Sequence, residues 1–141
     1  MNFNSVRAKL EATFQTEFAA SYPTVKVQYE NVRFTQPKAA AWVDLRIVEN
    51  TYARQNLGTS KKYRGYGVIN CIILVPEESG TVALNDMADA AFNIFADRSW
   101  SLAGGDSLTT YGAEKQTRGL INGFYCKTVQ VDFRYETELD R

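Results

Sequence analysis

The chain has 141 residues, 45% of them hydrophobic and 13% aromatic, with 16 basic and 16 acidic side chains, two cysteines and no histidine. A globule of this length buries about 68% of the surface its unfolded chain exposes, so residues 1–141 make one ordered domain and intrinsic disorder is excluded. The missing histidine removes the commonest general base, metal ligand and partner of a nucleophile, and a formal net charge of zero gives no global pull toward nucleic acid or an anionic membrane.

Taken in chain order, MNFNSVRAKL has no apolar leader core, and no segment approaches the roughly 20 apolar residues that span a bilayer. A soluble, non-secreted protein is expected. Val6, Leu10, Phe14 and Phe18 recur every four residues, which predicts an amphipathic helix over residues 4–21, capped by Asn4 or Ser5 and stopped by Pro23. In TVKVQYENV, Val25, Val27 and Tyr29 alternate with Lys26, Gln28 and Glu30, predicting a first strand. A turn around Pro37 leads to AAWVDLRIVEN, a second strand expected antiparallel to the first.

Between Glu49 and Glu77 there is no acidic residue, yet Arg54, Lys61, Lys62 and Arg64 fall there. The stretch TYARQNLGTSKKYRG shows no sustained periodicity and reads as a long exposed loop, a length that points weakly to function. YGVINCIILVP is a nearly continuous apolar run, suited to a central strand closed by Pro76. Leu84, Met87, Ala88, Ala91, Phe92 and Phe95 return to helical spacing, with Asp86, Asp89, Asn93 and Asp97 largely opposite. Gly104 and Gly105 mark a turn, SLTTYGAE a strand, and Asn122-Gly123 a tight turn. In the closing FYCKTVQVDFRYE, Tyr125, Val129, Val131, Phe133 and Tyr135 line one face, with Lys127 among them. The order of elements predicts an α+β domain, a mostly antiparallel sheet with two helices packed on one face.

Few residues invite chemistry. Gly65 and Gly67 precede a strand rather than opening a helix, so turn and close-packing roles are favoured over a phosphate cradle. Glu77 and Glu78 read as carboxylates at the positive end of the second helix, and Asp86, Asp89 and Asp97 as a solvated face rather than metal ligands. Cys71 and Cys126 sit in apolar strands as small hydrophobes, at no zinc or redox spacing. No catalytic, metal or cofactor site is expected. The basic, aromatic Lys61, Lys62, Tyr63, Arg64 and Tyr66 could contact phosphates, but a solvated, turn-rich loop is the plainer reading, and a protein interface ranks next, ahead of nucleic acid. Asp132, Glu136, Glu138 and Asp140 give the opposite sign near the C-terminus, so head-to-tail contact between neighbours, Lys61 and Lys62 against Glu136 and Glu138, is one expectation.

The helix VRAKLEATF, the strand pair VQYENVRF and AAWVDLRIVE, the R-G-x-G-x-I-x-x-x-I-L-V-P run over residues 64–76 and the closing VQVDFRYE resemble a tail terminator of long-tailed bacteriophages. The resemblance spans nearly the whole chain and rests on pattern and element order. It implies a subunit, assembled in the bacterial host cytoplasm, that forms a hexameric ring on the head-proximal end of the tail tube. The ring would halt tube polymerisation, present a surface to a neck or head-completion protein, and let DNA pass through its lumen without sequence specificity. The implied partners are further copies of the chain, the tube protein and the neck, with no membrane; the interface or lumen residues nominated are Arg54, Lys61, Lys62, Tyr63, Arg64, Glu136 and Glu138. A different neck connector and a small nucleic-acid-binding module are the alternatives.

Overall fold

The computed structural model describes residues 3–30, 32–55 and 61–139. Helix α1 (Phe3–Ser21) is followed by strands β1 (Lys26–Tyr29), β2 (Trp42–Arg54) and β3 (Lys61–Pro76), helix α2 (Val82–Phe95), strand β4 (Ser99–Ser101), a short 3-10 turn (Ala103–Gly105), and strands β5 (Ser107–Ile121) and β6 (Phe124–Leu139). The strands form one sheet in the order β1-β2-β3-β6-β5-β4, curled into half a barrel.

The periodicities that predict the helices are the ones that pack. Val6, Leu10, Phe14 and Phe18 of α1 are all buried, as are Leu84, Met87, Ala88, Ala91 and Phe95 of α2. They meet one face of the sheet: Val43, Leu45 and Ile47 of β2, Ile69, Cys71 and Ile73 of β3, and Val129, Val131, Phe133 and Tyr135 of β6 belong to the same cluster. Both helices therefore lie on one side, because alternate strand residues point there and are apolar. Phe14 stacks on Phe18 at 4.8 Å and on Phe95 at 5.6 Å, joining the two helices across the core. On the opposite face a smaller cluster of Trp42, Leu74, Phe124 and Cys126 is covered in part by Phe34.

Four expectations are corrected. The first two strands pair in parallel, Lys26 opposite Trp42 and Tyr29 opposite Leu45, so the sheet is mixed. Parallel pairing excludes a hairpin between β1 and β2, since the chain must return to the starting end of the sheet before β2 begins. The polar stretch expected as a loop is mostly strand, since β2 runs on to Arg54 and β3 begins at Lys61, with residues 56–60 outside those described. Glu77 and Glu78 do not cap α2. They sit in a turn closed by the Ser79 N–H and hydroxyl on the Pro76 carbonyl, and the helix starts later, with Thr81 at its N-cap. Helix α1 begins at Phe3, which puts Asn4 and Ser5 inside its first turn.

The Asn122-Gly123 turn is as the dipeptide predicts: φ is +49° at Asn122 and +82° at Gly123, the paired positive values of a two-residue hairpin, here joining β5 to β6. Strand β5 is longer than SLTTYGAE alone and carries two register shifts, between Thr110 and Ala113 and between Thr117 and Gly119. Both cysteines are free and buried, in the two opposite clusters, and burial pushes both thiol pKa values up. No helix among the described residues is long and apolar enough to cross a membrane.

Candidate assembly surface at the sheet end

The nominated residues converge on the end of the sheet where β2 meets β3. Arg54 stands opposite Tyr63, and on the other side of β3, Lys62 stands opposite Glu138, Tyr63 opposite Thr137 and Arg64 opposite Glu136. The basic stretch and the acidic tail are thus neighbours within one chain rather than charges at opposite ends. Arg64 Nη2 lies 2.6 Å from a Glu136 carboxylate oxygen, and Arg64 Nη1 donates to the Tyr66 hydroxyl at 3.4 Å. Glu136 is also 3.7 Å from Arg134, whose guanidinium lies 5.5 Å from the centre of the Tyr111 ring. The complementarity between Arg64 and Glu136 is met inside the subunit. Lys61 is half-buried at the start of β3, and Asp140 lies outside the described residues.

A cleft of about 310 Å³ opens beside this end, with Tyr63, Arg64, Glu136 and Thr137 on one wall and Gly105 and Ser107 on the other. It exists because β6 outruns β5, whose first residue, Ser107, pairs with Glu136. The Nε of Arg64 is buried there without a hydrogen-bond partner.

The two glycines of the R-G-x-G motif explain how the end is braced. A Cβ built on Gly65 would lie 2.1 Å from the Tyr135 ring, and one on Gly67 would lie 2.2 Å from the Val48 carbonyl oxygen and 2.3 Å from the Phe133 ring. These are the close-packing positions the sequence favours. With no side chain at Gly65, the rings of Tyr52 and Tyr135, on the strands either side, stack directly at 5.6 Å, and Tyr63 stacks on Tyr52 at 5.3 Å. The Tyr135 hydroxyl donates to Glu49 and the Tyr52 hydroxyl bonds Thr137 at 2.6 Å, so the column is pinned at its polar tips. Burial, then the Glu49 hydrogen bond, raises the Tyr135 pKa. Phe3 at the start of α1 extends the column, 6.3 Å from Tyr135.

Tyr52, Glu49 and Tyr135 escape a sequence reading of the site. The one available signal is the pair of glycines two apart on a strand, which calls for large rings on the flanking strands. Elsewhere, Lys115 reaches Asp89 at 2.6 Å and holds its carboxyl below the usual range, tying β5 to α2. Among the described residues no three acidic or cysteine side chains come together as a metal would need.

Comparison with known proteins bears on what this sheet end serves. The model of a family described as phage tail terminator protein matches residues 5–117, from α1 to the middle of β5. One solved structure shares the fold over 96% of both chains at 18% identity, with a TM-score of 0.69. Another, titled as the virion of a native gene transfer agent particle, covers 96% of both chains at 18% identity with a TM-score of 0.58. No curated protein sequence matches significantly. With both helices and the strands between them inside the matched span, the chain belongs to the phage tail terminator family, and its place is that of a structural protein of the phage tail.

Proposed function

We propose that this protein ends the tail tube: copies assemble as a ring, most simply a hexamer, on the head-proximal rim, stop further tube subunits from adding, and offer a fresh surface to the neck. The observation that carries this reading is the family match over residues 5–117. The site agrees with it, since stacked tyrosines and arginines on a braced sheet end are the residue types that anchor protein interfaces. The work is done by shape and by burial of surface on assembly, not by catalysis. Arg54, Lys61, Lys62, Tyr63 and Arg64 would face the tube, a neighbouring copy or the lumen. In the lumen, weak phosphate contact would let DNA slide past without regard to sequence. Assembly would take place in the bacterial cytoplasm before the tail joins the head.

The test is tail length. Phage lacking the gene for this protein should make tubes of uncontrolled, greater length that fail to join heads, seen by electron microscopy of lysates. Tails of normal length that simply remain unjoined would instead identify a neck connector that acts after the tube is finished.

A further inference from the structure

Both edges of the sheet are guarded over only part of their length. On one side β1 pairs with residues 42–45 of β2, and the next outward position, Ile47, is occupied by side chains: its N–H donates to Glu30 and its carbonyl accepts from Arg7 at 2.7 Å. From Val48 to Arg54, β2 has no strand on its outer side among the described residues. On the other side β4 pairs with residues 107–109 of β5, and Tyr111 takes the Asp97 N–H, after which no strand lies beside residues 112–121 on that side among those described, with Lys115 reaching across to Asp89 of α2. Unpaired edges of this length normally invite another strand.

Exposed apolar side chains gather at the same places. Of the eight large hydrophobic residues exposed among those described, Val48 and Tyr52 lie on the open part of β2, Leu120 and Ile121 on the open part of β5, and Tyr111 at its boundary. Val48, Leu120 and Ile121 are 44%, 58% and 47% exposed. Charged residues share these segments, Glu49 and Arg54 on β2 and Glu114, Lys115 and Arg118 on β5, so each edge is mixed rather than wholly guarded by charge.

The two open segments also match in direction. Strands β2 and β3, β3 and β6, and β6 and β5 are each antiparallel, so β2 and β5 run in opposite senses. Setting β5 of one copy beside β2 of the next continues the antiparallel alternation. The open parts lie at opposite ends of the sheet, toward Arg54 on one edge and Ile121 on the other, so successive copies would meet with a stagger, like a lap joint. Stagger of this kind is what lets a twisted sheet close on itself.

We propose that residues 48–54 of β2 in one copy pair with residues 112–121 of β5 in the next, a head-to-tail contact repeated around the assembly. This rests on the ring reading above. Its occupant is a second copy of this chain, because the two open edges run in opposite senses and each presents exposed apolar side chains, Val48 and Tyr52 on one and Leu120 and Ile121 on the other. Two different surfaces joined in this way close into a ring when the rotation permits.

The test places the photo-crosslinker p-benzoylphenylalanine at Val48 or, separately, at Thr117, both on exposed or edge positions, in the full-length protein on purified tails and at high concentration in solution. The expected products join position 48 to a peptide within residues 112–121 of another copy, and position 117 to one within residues 48–54. Products joining like segments, products with the tube protein at these positions, or no intermolecular product on tails would each overturn the proposal. A mixing experiment stands beside it. Val48→Lys and Leu120→Lys should each raise the concentration needed for assembly by about tenfold or more, while a mixture of the two restores a single contact and yields dimers. Tails of normal length in the absence of the protein would overturn the terminator reading and leave the crosslinks standing, so the two failures are distinguishable.

Discussion

Arg7 and Glu30, 3.3 Å apart, hold the backbone of Ile47 between them: the carboxylate accepts its N–H and the guanidinium donates to its carbonyl. Two side chains from α1 and from the end of β1 thus supply the bonds that one more strand residue would have made. Arg7 is steadied in turn by Glu11, one helical turn on at 3.6 Å. Replacing Glu30 by Gln keeps an acceptor but loses the ion pair, whereas Arg7→Ala leaves the Ile47 carbonyl without its donor. We expect Arg7→Ala to cost about 1–2 kcal/mol and Glu30→Gln less than half of that, read as shifts in urea midpoint at constant slope. Equal effects would mean the pair contributes only its charge.

Gly65 and Gly67 should differ when substituted. Gly65→Ala forces a methyl into the Tyr135 ring, and overpacking of this kind costs about 1–3 kcal/mol. Tyr135→Leu in the same chain should recover part of that loss, because a side chain has made the obstruction. Gly67→Ala also meets the Val48 carbonyl oxygen, a backbone atom, so Phe133→Leu should not rescue it. Denaturant titration of the two double variants decides the matter; rescue at both positions would show that β2 yields.

The Arg64–Glu136 pair is short but open to solvent, with side chains 30% and 43% exposed. Its worth to the fold should therefore be within about 0.2–1 kcal/mol and decline with salt. A double-mutant cycle on Arg64→Ala and Glu136→Ala at low and high ionic strength measures it directly. If Arg64→Ala disturbs assembly far more than stability, the residue serves a contact between proteins.

Alkaline pH should weaken the fold through Cys71. Its buried thiol titrates above its ordinary value of 9.0, so the folded chain keeps a proton that the unfolded chain gives up. Stability from this group is intact below that ordinary value and falls as pH rises beyond it, by about 1.4 kcal/mol per pH unit. Cys71→Ala should flatten that part of the stability profile. The wild-type thiols should stay inert to aromatic disulfide reagents at pH 8 until the protein is unfolded; rapid labelling of the native protein would contradict the burial of both cysteines.

Where burial has a period, the sequence shows it. The i, i+4 row of α1 and the alternation of Val129, Val131, Phe133 and Tyr135 are copied directly into the core. The ends of β2 and β3 are different. Residues 51–54 are all exposed, so no apolar alternation marks them as strand, and what holds them is pairing with β3 and the stack of Tyr52 on Tyr63. The direction of β1 is also hidden, since its alternating pattern is the same for a parallel or an antiparallel neighbour. For the candidate site, charge drew attention to Lys62 and Arg64, and their pairing with Glu138 and Glu136 follows from register, which a list of residues does not contain. The tyrosine column is legible only after Gly65 is known to lie between Tyr52 and Tyr135.

The central position of β3 has a consequence for how the subunit is made. One of its neighbours, β2, directly precedes it in the chain, but the other, β6, is made only after α2, β4 and β5. Until then the apolar run from Val68 to Val75 has one flank unpaired, and α1 and α2 lack the Val129, Val131, Phe133 and Tyr135 surface against which they finally pack. Non-local pairing of this kind is slow and leaves sticky intermediates. A nascent chain stopped short of β6 therefore holds most of the family's characteristic segment and still cannot finish its core. Closure of the core thus waits on β6, however early the rest of that segment emerges.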